Sequence, residues 1–301
     1  MARIGIIGGS GLYNIEGLEN KRWIRVDTPF GAPSDEYLIG TLEDEEIAFL
    51  PRHGRGHRLM PSELNYCANI YGMKKVGVEW IISVSTVGSF KKEIKPLDIL
   101  IPDQFVDRTN QARRVTFFGD GIVAHIPFAH PVCPVLFSLL CKASEGLGVT
   151  LHKGGTYLNM EGPAFSTKAE SLLYKSWGMD VIGMTNIPEA RLSREAEICF
   201  ATVAMVTDYD AWHVSQPSQN SEKKNDISMV TIDMIIQNLK KNAEKARQLI
   251  KTVIPLIPKE RNCQCATALK DAIITVPDLI PEERKKELEL IINKYIKTEG
   301  E

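Results

Sequence analysis

Neither sign of charge dominates this chain: 36 Lys and Arg stand against 38 Asp and Glu, for a net charge of −2. Without a large field, an anionic ligand must be met by a local site, and neither nucleic acid nor a membrane is expected as a partner. No apolar run is long enough to span a bilayer, and Met1-Ala2-Arg3 leads straight into a strand-like Ile4-Gly5-Ile6-Ile7 run with no signal segment. A cytoplasmic location is therefore expected. Internal repeats and low-complexity tracts are lacking. Cysteines are few and scattered: Cys67, Cys133, Cys141, Cys199, Cys263 and Cys265. A chain of this size needs no disulfide framework, and its only tight spacing, Cys263-Gln264-Cys265, cannot supply four metal ligands by itself. No metal is expected. The thiols read as reduced and without a role, with a redox-active or disulfide-forming pair as the alternative.

What is present reads as an α/β protein. At 301 residues and 44% hydrophobic composition, the chain suits one large domain with an appendage. β-Branched runs predict strands at Ile4–Ile7, Glu46–Leu50, Trp80–Val84, Ile99–Pro102, Asp180–Met184 and Ala201–Val206. Helical patterns lie between several of them, at Ser62–Tyr71, Val135–Gly146 and Thr167–Trp177, the last opened by a capping-type threonine. This alternation predicts a mixed or parallel sheet covered on both faces. The polar stretch His213–Asp226 reads as a long exposed loop. A helix is predicted from about Ser228 to Val253, ended by Ile254-Pro255, and a final one at Pro281–Lys297. The domain is placed at 1–260, and 261–301 is a C-terminal extension with a helix, packed on the same domain.

Four segments suit an anion. Gly8-Gly9-Ser10-Gly11 follows the first strand and reads either as an anion-cradling loop or as a tight turn. A dinucleotide fingerprint fails, because Asn14 stands where a third glycine is needed. Pro51-Arg52-His53-Gly54-Arg55-Gly56-His57 is a glycine-punctuated cationic loop, able to fork a phosphate or simply to be solvated. Ser83-Val84-Ser85-Thr86-Val87-Gly88-Ser89 and Met184-Thr185-Asn186-Ile187-Pro188-Glu189-Ala190 put hydroxyls at strand ends, where α/β folds place ligands and where plain turns also occur. Glu189 reads as a helix cap or as a partner for a sugar hydroxyl. A fifth segment, Thr207-Asp208-Tyr209-Asp210, carries two carboxylates on one side of an extended chain, which suits acid/base chemistry better than a metal.

These motifs, with Asp103-Gln104-Phe105-Val106-Asp107-Arg108-Thr109 and Glu161-Gly162-Pro163-Ala164-Phe165-Ser166 between them, occur in an order that resembles the trimeric purine nucleoside phosphorylases. Within that family the chain is similar to the branch acting on 5'-methylthioadenosine. The resemblance covers roughly residues 3–257. It implies the single-domain nucleoside phosphorylase fold, a central mixed sheet flanked by helices. It also implies a homotrimer or hexamer, inorganic phosphate as co-substrate, and no cofactor. It assigns phosphate to Ser10, Arg52, His53, Ser85, Thr86 and Thr185. It sets the ribose against Met184, the purine against Phe165 and Ser166, and the base edge against Asp208 and Asp210. Ile232, Ile235 and Ile236 fall near the 5' substituent, and His125 reaches a neighbouring subunit's site. The Val214–Asp226 loop departs from the compact family pattern.

The implied reaction needs a phosphate held under C1' and a proton delivered to purine N7, for which Asp208 is the candidate acid. Asp208 and Ser166 suit adenine, because the 6-oxopurine relatives typically carry asparagine and glutamate there. An apolar wall suits a methylthio group better than a 5'-hydroxyl, which it would leave unpaired. The rival readings are a 6-oxopurine or methylthioinosine phosphorylase of the same fold, a nucleosidase using water, and a non-catalytic nucleoside-binding protein. The Asp208/Ser166 pair argues against the first, the phosphate-binding set against the second, and the filled catalytic positions against the third.

Overall fold

In the computed structural model, residues 1–9, 12, 15–110, 112–213 and 232–296 are described, with backbone alone over 232–236. The segment expected to be a long loop lies, beyond His213, outside the described residues. The elements run β1 (Ile4–Gly8), β2 (Glu19–Ile24), β3 (Tyr37–Leu42), β4 (Glu45–Pro51), α1 (Tyr66–Lys75), β5 (Trp80–Ser89), β6 (Ile99–Ile101), β7 (Gln104–Arg108) and α2 (Pro134–Ser144). They continue with β8 (Leu151–Lys153), β9 (Thr156–Met160), α3 (Lys168–Ser176), β10 (Val181–Gly183), α4 (Asn186–Glu195), β11 (Cys199–Tyr209), α5 (Ile232–Val253) and α6 (Glu282–Ile292). No described helix is long and apolar enough to cross a membrane.

The strands form one mixed sheet in the order β2-β3-β4-β1-β5-β10-β9-β7, with β11 beside β5 and β6, and β8 beside β6. Four strands are mutually parallel: β4, β1, β5 and β11. Their apolar residues alternate between two cores. Ile4, Ile6, Trp80, Ile82, Ala201 and Val203 face α2 and α5, whereas Ile7, Ile81 and Phe200 face α1, α4 and α6. Helix α5 shows why it docks: Ala246, Leu249, Ile250 and Val253 form one buried stripe at helical spacing. Thr167 caps α3 as its sequence suggests, accepting from the Glu170 N–H while the Glu170 carboxylate takes the Thr167 N–H.

The tail is part of the fold's covering. Leu288, Ile291 and Ile292 of α6 join the core that holds Phe117 and Phe118, and Arg284 donates to the Phe117 carbonyl at 2.8 Å. The cysteines correct the sequence reading. Cys263 and Cys265 do have matching partners: folding brings Cys133 and Cys199 to them, and the four Sγ atoms lie within 4.8 Å of one another. Spacing along the chain did not show this, because the partners are 130 and 64 residues from Cys263.

Candidate active site

A cleft of about 460 Å³ opens at the carboxyl ends of β1, β4, β5 and β11. Parallel strands in register set its floor: Gly8 pairs with Pro51 and Ile7 with Ser83, so Gly9, Arg52 and Val84 emerge side by side. Parallel strands expose such ends together, which is where this class of sheet holds ligands.

Arg52 lies at the deep end, 3% exposed. Its guanidinium forks onto Glu189 of α4, with Nε donating to Oε1 at 2.5 Å and Nη2 to Oε2 at 3.1 Å. Nη1 donates to the Val84 carbonyl and Nη2 to the Ser83 hydroxyl, which itself donates to Glu189. Burial opposes the arginine's charge, but Glu189 more than restores it, so its pKa is raised. Both Glu189 oxygens thus serve Arg52 and Ser83. Most of the five guanidinium N–H bonds are also committed, which leaves Arg52 with one Nη1 hydrogen for a ligand.

The other anion-side residues line the same cleft. His53 has Nδ1 2.8 Å from the Leu59 carbonyl, which puts the ring proton there and leaves Nε2 for a ligand. Burial, then the Arg52 charge, depress the His53 pKa to about 4, so the ring is neutral near pH 7. Ser85 exchanges a hydrogen bond with the Tyr157 hydroxyl at 3.1 Å, and Thr86 is exposed into the cleft. Thr185 stands at the N-cap of α4, its side chain making no capping bond. Ser10 lies outside the described residues.

At the opposite end stand the carboxylates. β11 has a bulge between Val206 and Asp208. An unbroken alternation would carry Asp208 onto the face of Ala204 and Val206, which is packed core. The extra residue moves it to the face of Met205, and Met205, Asp208 and Asp210 all line the cleft. The freed backbone is satisfied from α5: Asn238 donates to the Thr207 carbonyl and Asn242 to that of Val206. Burial, with the nearby Asp210 charge adding, lifts Asp208 to about 6 against the pull of the Thr207 hydroxyl at 2.6 Å. Burial raises Asp210 as well, and its Oδ2 is buried without a partner among the described residues. A Cβ at Gly88 would crowd Ile182 Cγ2 at 3.2 Å and come into ordinary contact with Asp210 Cβ at 3.5 Å and Asp208 Oδ2 at 3.7 Å.

Phe165, 71% exposed, overhangs the cleft beside Met160 and Pro163. Met184 lines the wall, and its carbonyl is fixed by Arg113 at 2.5 Å and by Asn159 at 3.1 Å. Ser166 is buried behind Met160, with Oγ 3.8 Å from the sulfur, and is not on the cleft surface. The side chains of Ile232, Ile235 and Ile236 lie outside the described residues. The described part of α5 adds Leu239, Asn242, Ala243 and Ala246 to the wall, none of which sequence reasoning had picked. Their i, i+3, i+4, i+7 spacing is the signal that marks them as one face. His125 is exposed on its loop and lies apart from this chain's cleft.

Sequence reasoning also missed Asn159. Its Oδ1 accepts from the Asn186 and Ile187 N–H groups while its amide holds Met184, so one side chain sets the entry to α4. Tyr157 depends on Gly183 in the same region: a Cβ there would fall 1.8 Å from the tyrosine hydroxyl.

A parallel-strand cleft with a buried cation at one end and a protonatable carboxyl at the other is the layout of an enzyme that cleaves with an anionic nucleophile. The family model described as "Phosphorylase superfamily" matches residues 3–255, and the chain belongs to that superfamily. It is 57% identical to the S-methyl-5'-thioadenosine phosphorylase of Geobacter sulfurreducens, over 97% of this chain and 99% of the relative. Identity to the Synechocystis protein of that name is 54%, over 98% and 88%. Among solved structures, a methylthioadenosine phosphorylase from an antarctic soil metagenomic library superposes with a TM-score of 0.88 at 47% identity, covering 96% of this chain and 98% of that one. The Schistosoma mansoni methylthioadenosine phosphorylase in complex with tubercidin gives 0.77 at 31% identity, over 90% and 96%. The curated relatives extend through the tail, although the family model stops before it.

Proposed function

We propose that this chain catalyses phosphorolysis of 5'-methylthioadenosine to adenine and 5-methylthioribose 1-phosphate. One observation carries the reading: a buried, charge-paired arginine flanked by the Ser85, Thr86 and Thr185 hydroxyls occupies one end of a single cleft, and a carboxyl lifted to about 6 occupies the other. Phosphate sits among Arg52, His53, Ser85, Thr86 and Thr185; Ser10, which the family resemblance adds to this set, lies outside the described residues. Neutral His53 accepts a proton-bearing phosphate oxygen at Nε2, or takes up a proton as the anion's charge arrives. The phosphate's charge then faces the sugar cation that develops at C1'.

The purine stacks on Phe165, whose exposed ring offers apolar surface over the cleft. Protonated Asp208 delivers its proton to N7 as the bond to C1' breaks. Asp210, whose Oδ2 has no partner among the described residues, accepts from the adenine amino group. The apolar wall from Leu239 and Ala243 supports a methylthio substituent over a hydroxyl. His125 closes the site of a neighbouring copy in a homotrimer. The test is product analysis with methylthioadenosine, adenosine and inosine, each with and without phosphate. Adenine released from methylthioadenosine only when phosphate is present is expected. Release without phosphate, or preference for inosine, would overturn the reading.

A further inference from the structure

Four of the six cysteines meet at one point far from any role in the cleft: Cys133, Cys199, Cys263 and Cys265. They come from three separate parts of the fold. Cys133 is the N-cap of α2, Cys199 opens β11, and Cys263 and Cys265 flank the entry to a 3-10 turn in the tail. The sulfur of Cys263 lies 3.2 Å from that of Cys199 and 3.7 Å from that of Cys133. A bonded pair would stand at about 2.05 Å, with the remaining sulfurs farther off. In a zinc–thiolate tetrahedron with bonds of about 2.3 Å, each sulfur stands about 3.8 Å from the other three. The observed separations, from 3.2 Å to no more than 4.8 Å, bracket the tetrahedral value and exceed the bonded one.

We propose that these four thiolates bind one structural zinc ion. The donor set is complete and closed, so no position is left for a substrate, which separates it from catalytic zinc. Three of the four cysteines are buried and Cys263 is half-buried, so the ion is held within the core and not at its surface. The first turn of α2 faces Cys133, and its unpaired N–H groups favour negative charge on that sulfur. Cysteines as plain core filler would satisfy burial, but filler does not require four sulfurs from three segments to converge on one centre.

The ion would pin the start of the tail to the sheet and to α2. Beyond that pin, the tail braces the loop that carries His125. The His125 N–H donates to the Ala272 carbonyl at 2.8 Å, the Ile274 N–H to Val123, and the Val123 N–H to the Thr275 hydroxyl. The zinc thus anchors the segment that shapes this exposed loop.

The test uses the full chain purified under thiol reductant without chelator. Elemental analysis should find about one zinc per chain in the parent protein and in Cys141→Ser, whose thiol lies outside the cluster. Cys199→Ser and Cys265→Ser should lose it. Because those variants can misfold, the parent protein is also stripped of metal, kept reduced and titrated with Co(II). The strong thiolate charge-transfer and visible bands of tetrahedral cobalt should saturate at one equivalent. Failure of the reduced parent to bind cobalt or zinc stoichiometrically would overturn the proposal. So would a freshly isolated protein in which only Cys67 and Cys141 react with a thiol reagent in denaturant and no metal is present, because that result would mean two disulfides.

Discussion

Replacing Asp208 by asparagine should make the protein more stable and less active. Burial lifts the Asp208 carboxyl from 3.8 to about 6. The folded chain therefore binds this proton more tightly than the unfolded chain does. Below the unfolded value both states are protonated and no cost arises. Between the two values the unfolded chain is ionised while the folded chain keeps its proton, so stability falls as pH rises, and the loss is complete once the folded value is passed. A shift of about two units corresponds to about 3 kcal/mol, fully present above pH ~7. Asparagine carries no charge and still offers the Thr207 hydroxyl an acceptor. Asp208→Asn should thus gain up to ~3 kcal/mol at pH 8, and the gain should fade toward zero below pH ~4. Over the same change, turnover of methylthioadenosine should fall ~10²–10⁴-fold, the usual worth of a general acid. The assay is urea unfolding of both proteins from pH 4 to 8 at fixed protein concentration, with initial rates measured in parallel. A stability difference that does not vary with pH, or an unchanged rate, would refute the assignment of Asp208 as a buried acid.

Other outcomes follow from particular contacts. Glu189→Gln leaves the Arg52 charge buried with half its fork and should cost ~3–5 kcal/mol of stability by chemical denaturation, with a raised KM for phosphate. Phe165→Ala should raise KM for the nucleoside while leaving the melting temperature nearly unchanged, since Phe165 is 71% exposed; a large stability loss would show it to be core instead. In Asp208→Asn, the ratio of kcat/KM for methylthioinosine over methylthioadenosine should rise, because the amide can donate to a 6-oxo group. Chains carrying His125→Ala co-expressed with chains carrying Asp208→Asn should form mixed oligomers more active than either homomer, and no recovery would argue against a shared site.

The sequence reveals those parts of this fold whose signals are local. β1, β5 and β11 are apolar runs, and α3 announces its cap through Thr167 and Glu170. β2 was not legible, because Glu-Asn-Lys-Arg-Trp-Ile is an edge strand exposed along most of its length, with no apolar face to betray it. β7, β8 and β9 mix polar with apolar residues over short spans, so they show neither the unbroken apolar run that marks β6 nor enough repeats to establish a period of two. Helix α1 begins at Tyr66 and not near Ser62, because Pro61–Glu63 closes as a separate 3-10 turn in which the Glu63 side chain accepts from the Met60 N–H. The site divides in the same way. Its motifs lie at strand ends and could be read. The aim of Asp208 depends on a bulge, the pairing of Arg52 on Glu189 depends on a contact 137 residues away, and the cysteine cluster depends on three distant segments.

In the proposed reaction, inorganic phosphate is the nucleophile that replaces adenine on the sugar. Phosphorus NMR of the reaction mixture, followed as methylthioadenosine is consumed, tests it directly. The expected result is a sugar 1-phosphate resonance that grows at the expense of inorganic phosphate, one equivalent for each adenine formed. Adenine accumulating while the inorganic phosphate signal stays constant would contradict it.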